Sequence, residues 1–290
     1  MKRKIVMIVI FILVATTLVS ATNTINIQEK TKPKNCYVDV PVWTKGDSWT
    51  YLDSRSQFTY NPNGTAYTKF FFNCTTTYTV TDTTGDYYTL KMASKENQGR
   101  LTQESIRLIF TPFYKFSQEI KIRKTDLAWI SNTYQWKGPV FWLIGSIGFP
   151  IPAQEQCIGE NINTPPMTTM PFPLVVGKNG TLPQIHHTGF EKASLYWGLR
   201  VLEDIPNVSW YTVPFTYTCQ MTDITVPAGN YSAFNVTAIH NSGNEHDYYQ
   251  TYYVPEVGNF AKQSFNLDWD MSGRPYWTEE IKLVSTTYTP

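Results

Sequence analysis

Aromatic, threonine and aliphatic residues recur at every second position along much of this chain. That alternation constrains the fold more than any other feature. Phe72, Cys74, Thr76 and Tyr78 share one parity, and Asn73, Thr75 and Thr77 share the other. A period of two places one set on a buried face and the other on an exposed face of a β-strand. The pattern returns in Glu119-Ile120-Lys121-Ile122-Arg123, in Phe215, Tyr217, Cys219 and Met221, in Phe234, Val236 and Ala238, and in Phe265, Leu267, Trp269 and Met271. Turn residues separate the runs: Thr83-Thr84-Gly85-Asp86, Val226-Pro227-Ala228-Gly229-Asn230, Val254 to Asn259, and Ser272-Gly273-Arg274-Pro275. Long amphipathic helix patterns are absent, with room only for short helices near 97–108 or 189–203. The chain therefore reads as mainly β.

Residues 136–172 break the pattern. Phe141-Trp142-Leu143-Ile144 and Phe149-Pro150-Ile151-Pro152 are apolar, and Pro165, Pro166 and Pro171 follow. This reads as a proline-rich linker with an apolar first half. On either side the sequence shows signs of an internal duplication. Residues 42–51 align with 173–182, bringing Gly46 onto Gly177. Tyr78-Thr79-Val80 aligns with Tyr217-Thr218-Cys219. Two sheet modules, 36–135 and 173–290, are the expected organisation.

Before these modules lie two short segments. Met1-Lys2-Arg3-Lys4 is basic, Ile5 to Val19 carries no charge, and Ser20-Ala21 precedes polar sequence. These are the parts of a secretory signal over 1–21, cleaved after Ala21. The apolar run falls a little short of the roughly 20 residues of a spanning helix, and an uncleaved N-terminal anchor is the alternative. Residues 22–35 read as a polar tether. The expected location is outside the cytoplasm, secreted or associated with a membrane or cell envelope. A net charge of +1 leaves no electrostatic footprint for nucleic acid.

Export gives the cysteines a meaning. Cys36, Cys74, Cys157 and Cys219 form no C-x-x-C pair, and an even number in an exported chain reads as two disulfides. The pairing that respects the duplication is Cys36–Cys74 with Cys157–Cys219. Asn63, Asn73, Asn179, Asn207, Asn230 and Asn235 open Asn-x-Ser/Thr sequons, candidates for glycosylation in an exported chain.

Three short motifs bear on family. Gly46-Asp47-Ser48-Trp49-Thr50-Tyr51, Val226-Pro227-Ala228-Gly229-Asn230-Tyr231 and Tyr252-Tyr253-Val254-Pro255-Glu256-Val257-Gly258 resemble G-D-x-W-x-Y, V-P-A-G and Y-Y-x-P-x-V-G signatures of exported TapB-like proteins of unknown function. Thr125-Asp126-Leu127-Ala128 resembles a further segment of that group. The likeness covers scattered parts of both halves, and Gly180 stands where the second half would carry the tryptophan. The resemblance implies curved antiparallel sheets similar to the open barrels of lipoprotein carriers, and no particular chemistry.

Residue by residue, catalytic signals are weak. Gly46-Asp47-Ser48 matches the nucleophile segment of G-D-S-type esterases. That chemistry needs a histidine base oriented by an acid, and the expected D-x-x-H partner near the C-terminus is missing. Glycine and aspartate before a strand are more simply turn chemistry. His240 and His246, with Glu245 or Asp247 and the pair His186-His187, have metal-ligand chemistry, but solvated loop histidines are the plainer reading and no metal or cofactor is assigned. Asp268 and Asp270 share a strand face, as paired glycosidase carboxylates require, but on the solvated parity. The tryptophans either pack a core or line a cavity. Phe141, Trp142, Phe149, Trp49 and Trp269 are the candidate ligand-contacting residues. The functional expectation is a non-enzymatic surface or envelope protein that binds an apolar or glycan ligand, or an envelope partner. A purely structural surface module is the alternative, and a hydrolase without a recognisable motif comes third.

Overall fold

The structure is a computed structural model. It describes residues 36–60, 66–103, 106–110, 115–144, 149–197, 199–242, 245–267 and 277–290. The N-terminal signal and tether, Asn63, Trp269 and the Asp268/Asp270 pair lie outside the described residues.

Seventeen strands run in chain order. They are β1 (Tyr37–Val38), β2 (Ser48–Tyr60), β3 (Ala66–Asp82), β4 (Tyr87–Gln103), β5 (Ile106–Phe110), β6 (Lys115–Arg123), β7 (Trp129–Ile144), β8 (Phe149–Met167), β9 (Leu174–Val175), β10 (Asn179–Leu182), β11 (His186–Trp197), β12 (Leu199–Tyr211), β13 (Phe215–Val226), β14 (Gly229–Ser242), β15 (Glu245–Val254), β16 (Asn259–Leu267) and β17 (Trp277–Thr286). One 3-10 turn, Pro255–Val257, lies between β15 and β16. The described chain contains no α-helix. Where the sequence allows short helices, near 97–108 and 189–203, the described residues are instead strand, in β4, β5, β11 and β12.

Fifteen strands form one antiparallel sheet, ordered β10-β13-β14-β15-β16-β17-β2-β3-β4-β6-β7-β8-β11-β12, with β5 hydrogen-bonded to β4. β1 and β9 form a separate pair. The sheet is not closed into a barrel. Its two ends are nevertheless covalently joined, since residues 183–185 link β10 to β11 and residues 212–214 link β12 to β13. At that junction Thr212 N–H donates to Ile185 O at 2.9 Å, and Ile185 N–H donates to Thr212 Oγ1 at 2.9 Å. Ile120 of β6 and Val236 of β14 belong to one buried cluster, so the sheet curls around a shared core.

Parity works as the sequence implies. Cys74 and Thr76 are buried while Asn73 is exposed, and Ile120 and Ile122 are buried between exposed Glu119 and Lys121. Phe234, Val236 and Ala238 are buried.

The expected linker is not irregular. Residues 136–144 and 149–167 lie on the paired strands β7 and β8, with Phe141 opposite Pro152 and Ile144 opposite Phe149. The prolines obscured the strand pattern, and their positions explain why they are tolerated. β8 pairs with β11 from Gln154 to Thr164. Pro150 and Pro152 precede that stretch and Pro165 and Pro166 follow it, so no proline nitrogen stands where β11 needs a donor. Lys34–Pro290 forms one compact unit.

Two ladder starts are alike. Gly46 N–H donates to Val80 O and Val80 N–H to Asp47 O, each at 2.9 Å; Gly177 N–H donates to Cys219 O and Cys219 N–H to Lys178 O, also at 2.9 Å. Both glycines have positive φ, +103° and +86°, which suits a residue without a Cβ. Trp49 opposes Tyr78 as Gly180 opposes Tyr217. A Cβ on Gly180 would lie 3.0 Å from the Tyr217 ring, so the tyrosine occupies space that a larger residue would need. Beyond these starts the segments differ, since β10 ends at Leu182 while β2 runs on to Tyr60.

Neither expected disulfide is present. None of the four cysteines is in a disulfide. The Cys36 carbonyl accepts from Val176 N–H beside β9, whereas Cys74 lies on β3 opposite Asp53. Cys157 sits between β7 and β11, and Cys219 between β10 and β14. Neither pairing joins neighbouring strands.

Candidate functional site

The buried row of β2 changes character along its length. Trp49 and Tyr51 are fully buried, and the next two residues of that parity are Asp53 and Arg55. Asp53 is only 2% exposed. On the neighbouring strand β17, Leu283 and Ile281 are buried and Glu279 comes next on the same parity. Two adjacent strands therefore pass from apolar to charged at the same level.

These side chains form one ionic cluster. Arg55 Nε lies 3.1 Å from both Asp53 oxygens, and Nη2 donates to Asp53 Oδ2 at 2.6 Å. The same Nη2 is 3.2 Å from Glu279 Oε1. Burial disfavours the guanidinium charge, but Glu279 and Asp53 more than offset it and raise its pKa. Charge-assisted forks of this kind fix an arginine's orientation. Nη1 makes no hydrogen bond or ion pair with a described residue, and the side chain is 34% exposed.

The surroundings are polar but not reactive. Cys74 opposes Asp53 across the β2–β3 ladder. Burial pushes its thiol up to about 11, and its sulfur lies 3.4 Å from Thr76 Oγ1. A thiol held neutral in this way is a poor nucleophile. Burial raises the Tyr78 phenol as well. On β16 and β15, buried Gln263 donates to buried Thr251 at 3.2 Å. The cluster can hold a ligand by hydrogen bonding. Nothing in it resembles a nucleophile with its base.

The residues singled out in the sequence fall elsewhere. Trp49 is fully buried, and its Nε1 donates to Val257 O at 2.8 Å. It packs 4.9 Å from Trp43, centroid to centroid, and so is core, with no face left for a ligand. Phe141, Trp142 and Phe149 lie on the β7–β8 hairpin, and their side chains lie outside the described residues. Asp47 accepts from Thr44 N–H at 2.7 Å, and Ser48 Oγ is 3.1 Å from Thr287 Oγ1. Gly46-Asp47-Ser48 is thus turn chemistry. In the β14–β15 ladder His240 opposes Asp247 and His246 opposes Asn241, not each other. His240 Nδ1 donates to Pro214 O at 3.0 Å.

The histidine pair on β11 lies apart from the β2 cluster in strand order. His186 stacks on Tyr211 at 4.2 Å, and His187 stacks on Trp210 at 3.8 Å. His187 is buried, its Nε2 has no hydrogen-bond partner among the described residues, and burial followed by His186 lowers its pKa.

Asp53, Arg55 and Glu279 were missed by sequence reasoning. The signal lay in continuing the Trp49–Tyr51 parity by two more steps, where opposite charges fall on the inward face. Set against known proteins, the chain matches no family model, no curated protein and no solved structure.

Proposed function

We propose that this chain is an exported, non-enzymatic surface or envelope protein that holds a small ligand at the Asp53–Arg55–Glu279 cluster. One observation carries the reading: Asp53 and Arg55 continue the inward row of Trp49 and Tyr51, and Glu279 joins them from β17. Burying charge is costly without compensation, and apolar side chains serve a purely structural core better. Arg55 is clamped on one side by two carboxylates and retains Nη1 as a donor. The triad sums to one negative charge, which disfavours an anion. A neutral ligand with hydroxyl or carbonyl acceptors, such as a glycan or the polar end of a lipid, fits it best. The basic and apolar N-terminus supports export, as does the likeness of the turn motifs to exported TapB-like proteins. An internal duplication accounts for the two like ladder starts.

A structural surface module is the second reading. The packing of Trp43, Trp49 and Tyr88 at one end of the core favours it. Native mass spectrometry of the protein from its own host separates the two. We expect a retained small molecule that is lost in Arg55→Lys, which keeps the charge but not the fork, with little change in melting temperature. A bare wild-type protein, or equal retention by the variant, would overturn the ligand reading.

A further inference from the structure

The six sequons are not equivalent in the fold. Asn63 lies outside the described residues. Asn73 is exposed, but β3 is hydrogen-bonded on both sides, by β2 and β4. Asn235 lies on β14, between β13 and β15, and its Oδ1 accepts from Thr237 Oγ1 at 3.3 Å. Asn230 is the second residue of β14, and its Oδ1 accepts from Thr225 Oγ1 at 2.7 Å. Asn179 and Asn207 differ from these. They lie on β10 and β12, the two terminal strands of the sheet path. Both are exposed, and among the described residues their amides have no hydrogen-bond partner.

We infer that Asn179 and Asn207 carry N-linked oligosaccharide, and that the two glycans cover the open edges of the sheet. The inference rests on the export reading above. On a strand, residues i and i+2 share a face. Asn179 with Thr181, and Asn207 with Ser209, therefore present a whole sequon outward, and all four residues are exposed. A transferase that needs the sequon in its own groove must detach an edge strand from only one partner, whereas a central strand must leave two. Asn207 is freer still. The β11–β12 register shifts between Gly189 and Glu191, leaving Pro206 and Asn207 in a bulge outside the ladder.

In the transfer, asparagine Nδ2 bonds to the anomeric carbon of a lipid-pyrophosphate-linked oligosaccharide. The bond from that carbon to the phosphate oxygen breaks. The lipid pyrophosphate leaves with the electron pair, and the amide gives one proton to solvent. The benefit lies in the edges. A terminal strand presents unpaired N–H and C=O groups that template pairing with another chain. β12 runs Leu199–Tyr211, long enough for such pairing, and a bulky solvated group on each edge blocks it.

The test is glycopeptide mass spectrometry on full-length protein from its own host, with light scattering on the purified variants. We expect glycan on Asn179 and Asn207, none on Asn235, and at least a doubling of weight-average mass in the Asn179→Gln/Asn207→Gln double variant at high concentration. Asn73→Gln and Asn235→Gln should change neither readout. Bare Asn179 and Asn207 peptides in a processed, exported chain would overturn this inference alone, as would a double variant that stays monomeric. An intact Met1 on soluble cytoplasmic protein would overturn the export reading and this inference with it.

Discussion

The indole N–H of Trp49 donates to the carbonyl of Val257, 208 residues further along the chain, at 2.8 Å. Two neighbouring bonds repeat the arrangement. Trp43 Nε1 donates to Gly258 O at 2.7 Å and Tyr51 hydroxyl to Phe260 O at 2.9 Å. The segment that opens β2 is thereby fastened to the turn between β15 and β16. That turn has few ladder partners for its carbonyls, and the aromatic donors satisfy them within the core. Two of the three sequence motifs thus meet in space.

Removing the Trp49 donor leaves the carbonyl of buried Val257 without that partner. Trp49→Phe should cost about 1–3 kcal/mol from the hydrogen bond, with a further loss from the smaller ring. Tyr51→Phe removes only the hydroxyl and should cost about 1–2 kcal/mol. Urea unfolding followed by far-ultraviolet circular dichroism measures both. A Tyr51→Phe midpoint equal to wild type would show that the Phe260 bond contributes nothing net.

Gly258 tolerates no side chain. Its φ is +65°, and a Cβ would lie 2.4 Å from the Tyr288 ring. Gly258→Ala combines an αL penalty of about 1 kcal/mol with displacement of Tyr288, which packs 6.1 Å from Trp49. Gly46, also at positive φ, has nothing within 4 Å of its Cβ position. Gly46→Ala should therefore be clearly milder than Gly258→Ala in a thermal melt. Equal losses would show that backbone conformation alone sets the cost.

The fold should lose stability in alkali. Burial raises the phenols of Tyr51, Tyr249 and Tyr253, and pushes the Cys74 thiol from its ordinary value near 9 up to about 11. Each group is favoured neutral in the folded chain. Its contribution is fully present below the ordinary value and is lost as pH rises through the raised one. In reductant, the urea midpoint should hold from pH 7 to 8.5 and fall steadily above about pH 9–10. Cys74→Ser should remove the earliest part of that fall. A midpoint flat to pH 11 would contradict the burial of these groups.

The strands were legible because parity is a local property. Cys74, Ile120 and Val236 each sit among neighbours that state the buried face unambiguously. The β7–β8 hairpin was not, because Pro150, Pro152, Pro165 and Pro166 mimic a linker when the reach of β11 is unknown. Strand order was equally hidden. The ladder that joins β17 to β2 pairs Leu283 with Tyr51, and no local pattern encodes a contact of that sequence separation. Trp49 read as a ligand-contacting candidate because a tryptophan's partner is set by tertiary structure. The same holds for the charged cluster: Asp53 and Arg55 are two residues apart, but Glu279 joins them only through that ladder.

The cluster also makes a prediction about stability that does not depend on a ligand. Arg55 pairs with two carboxylates, one of them almost fully buried. Arg55→Met removes the cation with which both Asp53 and Glu279 pair. Breaking a buried pair from one side costs about 3–5 kcal/mol, and here the remaining charges also repel. Neutralising all three, as Asp53→Asn, Arg55→Met and Glu279→Gln together, removes the uncompensated charge. The triple variant should recover at least half of the loss in a urea titration at pH 7. Because these residues share one network, the single effects should not add. If Arg55→Met costs less than about 1 kcal/mol, as for an exposed pair, the cluster is solvated and the buried position of Asp53 does not govern its energetics.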